Sequence, residues 1–404
     1  MLKINNFLAA TIIGLMTTPN IALGVGGIEY KEVLQAVAPS NRSAQTSFEQ
    51  GVSLAEKGDL KGAEAAFRKA IELQPNFVKA YIGLGNALDD QGKSSEAIAS
   101  YKKAIIFDPN DSGAYFNLGL TFARLNRLDE AVAQYQKAIS LDPKYVKARY
   151  NLGNAFYSQG KLTEAIAEYK EVISTEPNYA PPYARLGTVL DAQGKTSEAI
   201  ALYKKAISLE PKYAAAHYYL GTALYEQEKL KEAEAEFTEA IRLEPTNAAG
   251  YSGLGNALEF QGKKDEAVAQ YKKAISLNPK FVSAHYDLAS ALYNQNKLTE
   301  AEAEYTEVIR LDPNHIQAYN GLGNALDDQG KTSEAIALYK KAISLDPKNA
   351  YGYYNLAAIG RQQQTLDAIV ALKKAKELFQ AQGNSQMLEK VERLFKKINN
   401  SQLN

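Results

Sequence analysis

The sequence contains no cysteine and no tryptophan, and only three histidines in 404 residues. Without cysteine there are no disulfides, thiolate metal sites, cysteine nucleophiles or lipid-anchored N-terminal cysteine. Charge of one sign is lacking too: 46 Lys and Arg balance 46 Asp and Glu. That balance argues against nucleic acid as a partner, because displacing counterions from phosphates takes a basic surface. There is no glycine-rich phosphate loop, since no strand precedes the Gly-Leu-Gly-Asn runs. What the chain does have is apolar mass, 46% of residues, and 26 tyrosines.

Nine of the 13 prolines, from Pro75 and Pro109 to Pro313 and Pro347, are spaced by 34 residues. The chain is therefore an array of 34-residue repeats. Gly51, Gly85, Gly119, Gly153, Gly187, Gly221, Gly255 and Gly323 hold one column, with Ala289 filling its gap, and a Leu precedes nearly all of them. Alanines from Ala63 to Ala335 hold a second column, each followed four residues later by an aromatic, as in Ala97 and Tyr101.

Each repeat reads as two helices. Tyr81, Leu84, Gly85 and Leu88 follow the spacing of one helical stripe, and Ala97, Ile98, Tyr101, Ala104 and Ile105 that of a second. Gly92 stands where a left-handed residue ends the first helix, as do Gly58, Gly160, Gly194, Gly262 and Gly330. Asn126 and Asn296 tolerate that conformation; Glu228 does so poorly. An acid, Glu96 through Glu334, opens the second helix at its positive dipole end. Small columns let the paired helices approach, and the aromatic column fills the gap.

These columns resemble the tetratricopeptide repeat (TPR) family: an aromatic, Leu-Gly, an aromatic or Leu, then Ala, an aromatic and Pro. Tyr115, Leu118, Gly119, Phe122, Ala131, Tyr135 and Pro143 show the whole pattern, whereas Arg149, His217 and His285 depart from its opening aromatic. The resemblance implies an all-α superhelical solenoid of about ten helix-turn-helix repeats, at 44–77, 78–111, 112–145, 146–179, 180–213, 214–247, 248–281, 282–315, 316–349 and 350–382. Residues 383–404 read as a C-terminal capping helix, with Met387, Val391, Leu394, Phe395 and Ile398 on its apolar face. Its alternative is a basic helix lying on an acidic membrane. Turns of the Gln-Gly-Lys type alternate with Lys-Leu turns between residues 180 and 349, giving an effective period of 68 residues. Duplication of a repeat pair accounts for this.

Residues 1–24 read as a secretory signal peptide: Lys3, an apolar stretch from Phe7 to Met16, and small residues at Ala22 to Gly24. That stretch is far short of the roughly 20 residues a spanning helix needs. Residues 25–43 read as a linker. The expected location is the periplasm or another extracytoplasmic compartment. The alternative is an uncleaved N-terminal anchor; the mature chain would have no transmembrane span, and peripheral association with a membrane complex is left open.

Nothing in the pattern supports catalysis or a cofactor. His217 and His285 occupy a packing column and His315 a loop, with no pairing at helical spacing, so neither a metal site nor an enzyme is expected. The adjacent carboxylates Asp89 and Asp90 point about 100° apart and form no two-carboxylate site. What remains is surface. In TPR proteins the first helices line the concave ligand-binding face. The resemblance thus implies a groove bearing Lys79, Asn86, Asp89, Phe116, Arg124, Tyr150, Asn154, Tyr157, Tyr218, Tyr225, Asn256, Tyr286, Tyr293, Asn324, Asp327 and Tyr354. Lys147 and Arg361 add sparse cations, and Asp191, Glu226 and Glu259 further acids. Tyrosine gives contact area at low entropy cost, and Asn can hydrogen-bond a peptide backbone. These tyrosines could equally seal neighbouring repeats. The basic clamp of TPR co-chaperones is missing at Ile82, Phe116, Tyr150, Ala184 and Tyr218. The expected function is a non-enzymatic scaffold for a protein or extended peptide. The alternative is an exported assembly factor or carrier for a metal ion or glycan.

Overall fold

The computed structural model of the chain describes residues 42–360 and 366–401. The expected signal peptide, the linker up to residue 41 and Arg361 lie outside the described residues. Every regular element among the described residues is an α-helix, 21 in all. All but the last pair as helix-turn-helix repeats, the internal ones each of a 13-residue and a 14-residue helix, such as Val78–Asp90 with Ser94–Phe107. The first helix, Arg42–Glu56, starts inside the stretch assigned to the linker. The chain divides into two compact units, one ending at Ala223 and one beginning at Leu224.

The turn between paired helices follows from left-handed residues. Gly92 has φ of 78°; its N–H meets the Asp89 carbonyl at 2.9 Å, and the Lys93 N–H meets that of Leu88 at 2.8 Å. These bonds satisfy carbonyls that the helix end leaves unpaired. Asn126, Glu228 and Asn296 take the same conformation, at φ of 57°, 59° and 59°.

The glycine column exists because a ring lies on it. A Cβ on Gly153 would sit 2.7 Å from Cε1 of Tyr169, and one on Gly255 would sit 2.5 Å from Cε1 of Tyr271. The next repeat closes the other side of the ring: Gly83 approaches Phe67, and Gly321 approaches Tyr305, to 2.7 and 2.5 Å on the same measure. Each aromatic of the second helix is thus clamped between a small residue of its own repeat and the following first helix. The rings at Tyr169, Tyr271 and Phe67 are fully buried.

The departures from the opening aromatic keep its polar contact. Tyr81, Tyr183 and Tyr319 donate their hydroxyls to the carbonyls of Pro75, Pro177 and Pro313, at 3.1, 2.9 and 3.2 Å. Arg149, His217 and His285 reach the equivalent carbonyls of Pro143, Pro211 and Pro279, at 3.4, 3.1 and 3.2 Å. His217 and His285 are buried packing rings, as their column implied.

The alternation of turns also has a structural reason. Lys93, Lys263 and Lys331 in Gln-Gly-Lys turns pair with Glu64, Glu234 and Glu302 of the preceding repeat, at 2.8, 2.8 and 2.9 Å. The amides of Gln91, Gln261 and Gln329 donate to the same three carboxylates. The lysine holds the Glu64 carboxyl down to about 2. It lowers those of Glu234 and Glu302 in the same way. At these three turns a glutamate of one repeat is matched by the lysine of the next; the Gln193-Gly194-Lys195 turn has Ile166 at the glutamate position.

At the C-terminal end, Ser385–Ser401 packs on Leu366–Ala381. Met387, Val391 and Leu394 are buried with Leu372, Ala375 and Phe379, which is the covering role expected of a cap.

Candidate functional site

Within each unit first helices of successive repeats touch one another, so they share one surface. The expected site residues fall on that surface at three depths.

The deepest are packing residues. Phe116, Tyr150 and Tyr218 are only 4, 5 and 2% exposed. Phe116 lies against Tyr135 and Tyr145, with ring centroids 6.0 and 4.9 Å away; Tyr150 lies against Tyr169 and Tyr179 at 6.1 and 5.8 Å. Tyr286 is half-buried between Tyr305 and His315, at 5.9 and 5.0 Å. Tyr354 is half-buried against the C-terminal core. The rings of Phe116 and Tyr150 fill the step between a second helix and the loop after it, which is the sealing role given above as the alternative to partner contact; Tyr218 is equally buried.

The asparagines are likewise engaged inside their own repeats. Asn86, Asn154, Asn256 and Asn324 accept from the hydroxyls of Tyr101, Tyr169, Tyr271 and Tyr339, at 2.7, 2.8, 2.7 and 2.7 Å. Each oxygen expected to meet a peptide backbone already has a donor 15 residues further along. Burial raises the Tyr169, Tyr271 and Tyr339 phenols well above the usual range. They stay protonated and able to donate.

Most of the remaining residues occupy the last turn of a first helix, with Lys79 at the start of one. Asp89 and Arg124, 35 residues apart, are brought together: Nη2 lies 3.1 Å from Oδ2, and Nη1 donates to the Asp89 carbonyl at 3.1 Å. Thr121 donates to the same carboxylate at 2.8 Å. The pair ties two repeats together, and Asp89 is 5% exposed. Lys79, Tyr157 and Asp327 are half-buried. Tyr225 stands edge-on to Phe260, centroids 5.4 Å apart. Tyr293 donates to Asp328 Oδ2 at 2.6 Å. Burial and that carboxylate push its phenol up to about 12.

Sequence reasoning missed Arg185, Asp287 and Phe260. Arg185 bonds the Tyr219 hydroxyl at 3.3 Å, and its buried Nε has no hydrogen-bond partner. Asp287 lies beside the tyrosine rings: it contributes to holding up the phenols of Tyr225, Tyr271 and Tyr286, chiefly a burial effect. Arg185 and Asp287 belong to one column, one residue after the packing aromatics, whose other members are Gly83, Asn117, Asn151, Tyr219, Gly253, Gly321 and Asn355. Reading that column would have found both. Among the described residues no group of three or more His, Asp or Glu could hold a metal ion. No described helix is long and apolar enough to cross a membrane.

A "TPR repeat" model matches residues 51–92, 85–126, 119–160, 153–194 and 323–364. "Tetratricopeptide repeat" models match 185–248, 253–316 and 304–337. No curated protein matches the chain. Among solved structures, the chain is similar to MamA, at 33% identity over 41% of this chain and 96% of that one, with a TM-score of 0.38. A tetratricopeptide repeat protein from Parabacteroides merdae shares 19% identity over 62% and 99%, with a TM-score of 0.53. The Cut9-Hcn1 hetero-tetramer shares 14% over 87% and 84%, with a TM-score of 0.54. These last two show the fold alone.

Proposed function

The chain belongs to the tetratricopeptide repeat family, and from that premise we propose that it is a non-enzymatic scaffold binding an extended peptide segment of a protein partner along its first-helix surfaces. The observation that carries this reading is the column at the last turn of each first helix. In the second unit it runs Tyr225, Glu259, Tyr293, Asp327, an aromatic alternating with an acid at 34-residue spacing. A ladder of that kind suits an extended chain whose side chains meet successive repeats. Tyrosine serves such contacts well, being large and stiff with a polar tip. The buried aromatics and the asparagines beneath hold the ladder in place.

Fluorescence anisotropy of labelled extended peptides with the whole protein tests this. Tyr225→Ala combined with Tyr293→Ala is expected to weaken binding about tenfold or more, with the helical circular dichroism unchanged. Peptide affinities indifferent to both rings would overturn it.

The proposal includes export. Its support is the basic start, short apolar stretch and small residues of segment 1–24. N-terminal sequencing of the protein from the fraction outside the cytoplasm should begin just after Gly24. A chain retained in the cytoplasm with Met1 intact would contradict this.

A further inference from the structure

Arg185, on the first helix Ala180–Ala192, is a half-buried cation without a counter-ion. Among the described residues it forms no ion pair. Its Nη1 bonds the Tyr219 hydroxyl at 3.3 Å, and its buried Nε has no partner. Asp191 is the acid of the same helix, but about 9 Å of helix rise separates the two. Withdrawing a guanidinium from water without a counter-charge is costly. The scaffold does not ask for it. The equivalent position holds Gly83, Asn117, Asn151, Gly253 and Gly321 in other repeats, and Lys or Arg in none of them.

Phenols surround this charge. Those of Tyr150, Tyr169, Tyr213 and Tyr219 lie within electrostatic reach of the guanidinium, as does that of Tyr157. Tyr169 donates its proton to Asn154. The hydroxyls of Tyr150, Tyr157, Tyr213 and Tyr219 have protons to give and, among the described residues, no acceptor for them. Two of these side chains are nonetheless deeply set, Tyr150 at 5% and Tyr219 at 9% exposure. Burial chiefly raises the phenols of Tyr157 and Tyr213, which therefore keep their protons at neutral pH. Every one of these residues belongs to the unit that ends at Ala223.

A cluster rich in donors and poor in acceptors suits an anion with many oxygens. A carboxylate offers two, whereas a phosphomonoester offers more oxygens and more charge, and a guanidinium forks onto it. We propose that Arg185 and the hydroxyls of Tyr150, Tyr157, Tyr213 and Tyr219 form a binding site for a phosphomonoester group. The site goes beyond the peptide-binding reading and does not depend on it, because the ladder that carries that reading lies in the other unit.

The test is calorimetry on the full-length protein at a pH of about 7.5, where a phosphomonoester is largely dianionic. The probes are glycerol phosphate, a phosphoserine peptide, the same peptide with serine, inorganic phosphate and acetate. At least one of the two monoesters is expected to bind about tenfold more tightly than acetate and more tightly than inorganic phosphate, the tighter one marking the carrier of the group. Arg185→Gln should weaken that binding about tenfold or more. Tyr219→Phe, which keeps the ring, should weaken it less. Lys204→Gln removes one charge from an exposed site on the second helix of the same repeat and should leave binding unchanged. Circular dichroism checks that each variant is folded. Equal losses in Arg185→Gln and Lys204→Gln would overturn the proposal, since net charge would then explain the binding. Monoesters no tighter than inorganic phosphate would mean an adventitious ion only and would overturn it too. So would acetate binding as tightly as the monoesters, or no binding by any phosphate. A serine peptide as tight as its phosphorylated form, with glycerol phosphate silent, would sink the phosphoryl site and leave the peptide-binding reading standing.

Discussion

The hydroxyl of Tyr169, a ring with no exposed surface, donates to Oδ1 of Asn154 at 2.8 Å. An asparagine placed to greet a partner is therefore part of the scaffold. Asn154→Ala should destabilise the protein by about 1–3 kcal/mol, because a buried hydroxyl loses its acceptor. Replacing both groups, Tyr169→Phe with Asn154→Val, reproduces the Phe67 and Val52 combination of the first repeat. It should recover most of the loss. Denaturant unfolding of the two single variants and the double measures this. A double variant as unstable as the sum of the singles would contradict the assignment.

Glu228 closes its turn like the glycines elsewhere: its N–H meets the Tyr225 carbonyl, and the Lys229 N–H that of Leu224, both at 2.9 Å. It does so at φ of 59°, with no structural compensation evident. Glu228→Gly should stabilise the protein by about 1 kcal/mol, the strain of a left-handed residue with a Cβ. An unchanged or lowered unfolding midpoint would show that the glutamate is relieved by other means.

Two leucines of the same column differ in burial. Leu220 is 2% exposed, whereas Leu254 is only half-buried. Leu220→Ala should cost about 2–5 kcal/mol and Leu254→Ala distinctly less. The sequence pattern alone predicts equal costs. Equal measured losses would mean that the burial difference is absent in solution.

Two histidines have their pKa values shifted in opposite directions. His285 Nδ1 lies 2.6 Å from Glu304, and this contact raises its pKa above the ordinary value. Its contribution to stability is full below about 6.5, the unfolded value, and is lost as pH rises through the folded value. His315 caps a helix by accepting the Ala318 N–H at 3.2 Å, and burial lowers its pKa. Its contribution is full above about 6.5 and is lost as pH falls through the folded value. Imidazole resonances followed by NMR across this range should show His285 titrating above His315. The reverse order would contradict both environments.

What was legible in the sequence was local. The proline period and the glycine ends at Gly92 and Gly262 depend on a residue's own helix or turn, and the small columns on the helix packed beside it. The engagement of the asparagines was partly legible. Asn86, Asn154, Asn256 and Asn324 are each followed 15 residues later by a tyrosine, while Val52 is followed by Phe67. What the sequence did not reveal spans two repeats. The pairing of Lys263 with Glu234, and of Arg124 with Asp89, depends on how far one repeat is displaced from the next. Periodicity gives the length of that step but not its direction in space. The same gap hid the burial of Tyr150, which is sealed by the Tyr179 ring.

The account's central claim is that first-helix surfaces receive the partner. The most direct measurement places a photo-cross-linking phenylalanine analogue at Tyr293 on a first helix, or at Lys272 on a second, in the full-length protein. Illumination with a labelled extended peptide bound should give adducts from position 293 and none from 272. Adducts from 272 alone, or equally from both, would contradict the claim.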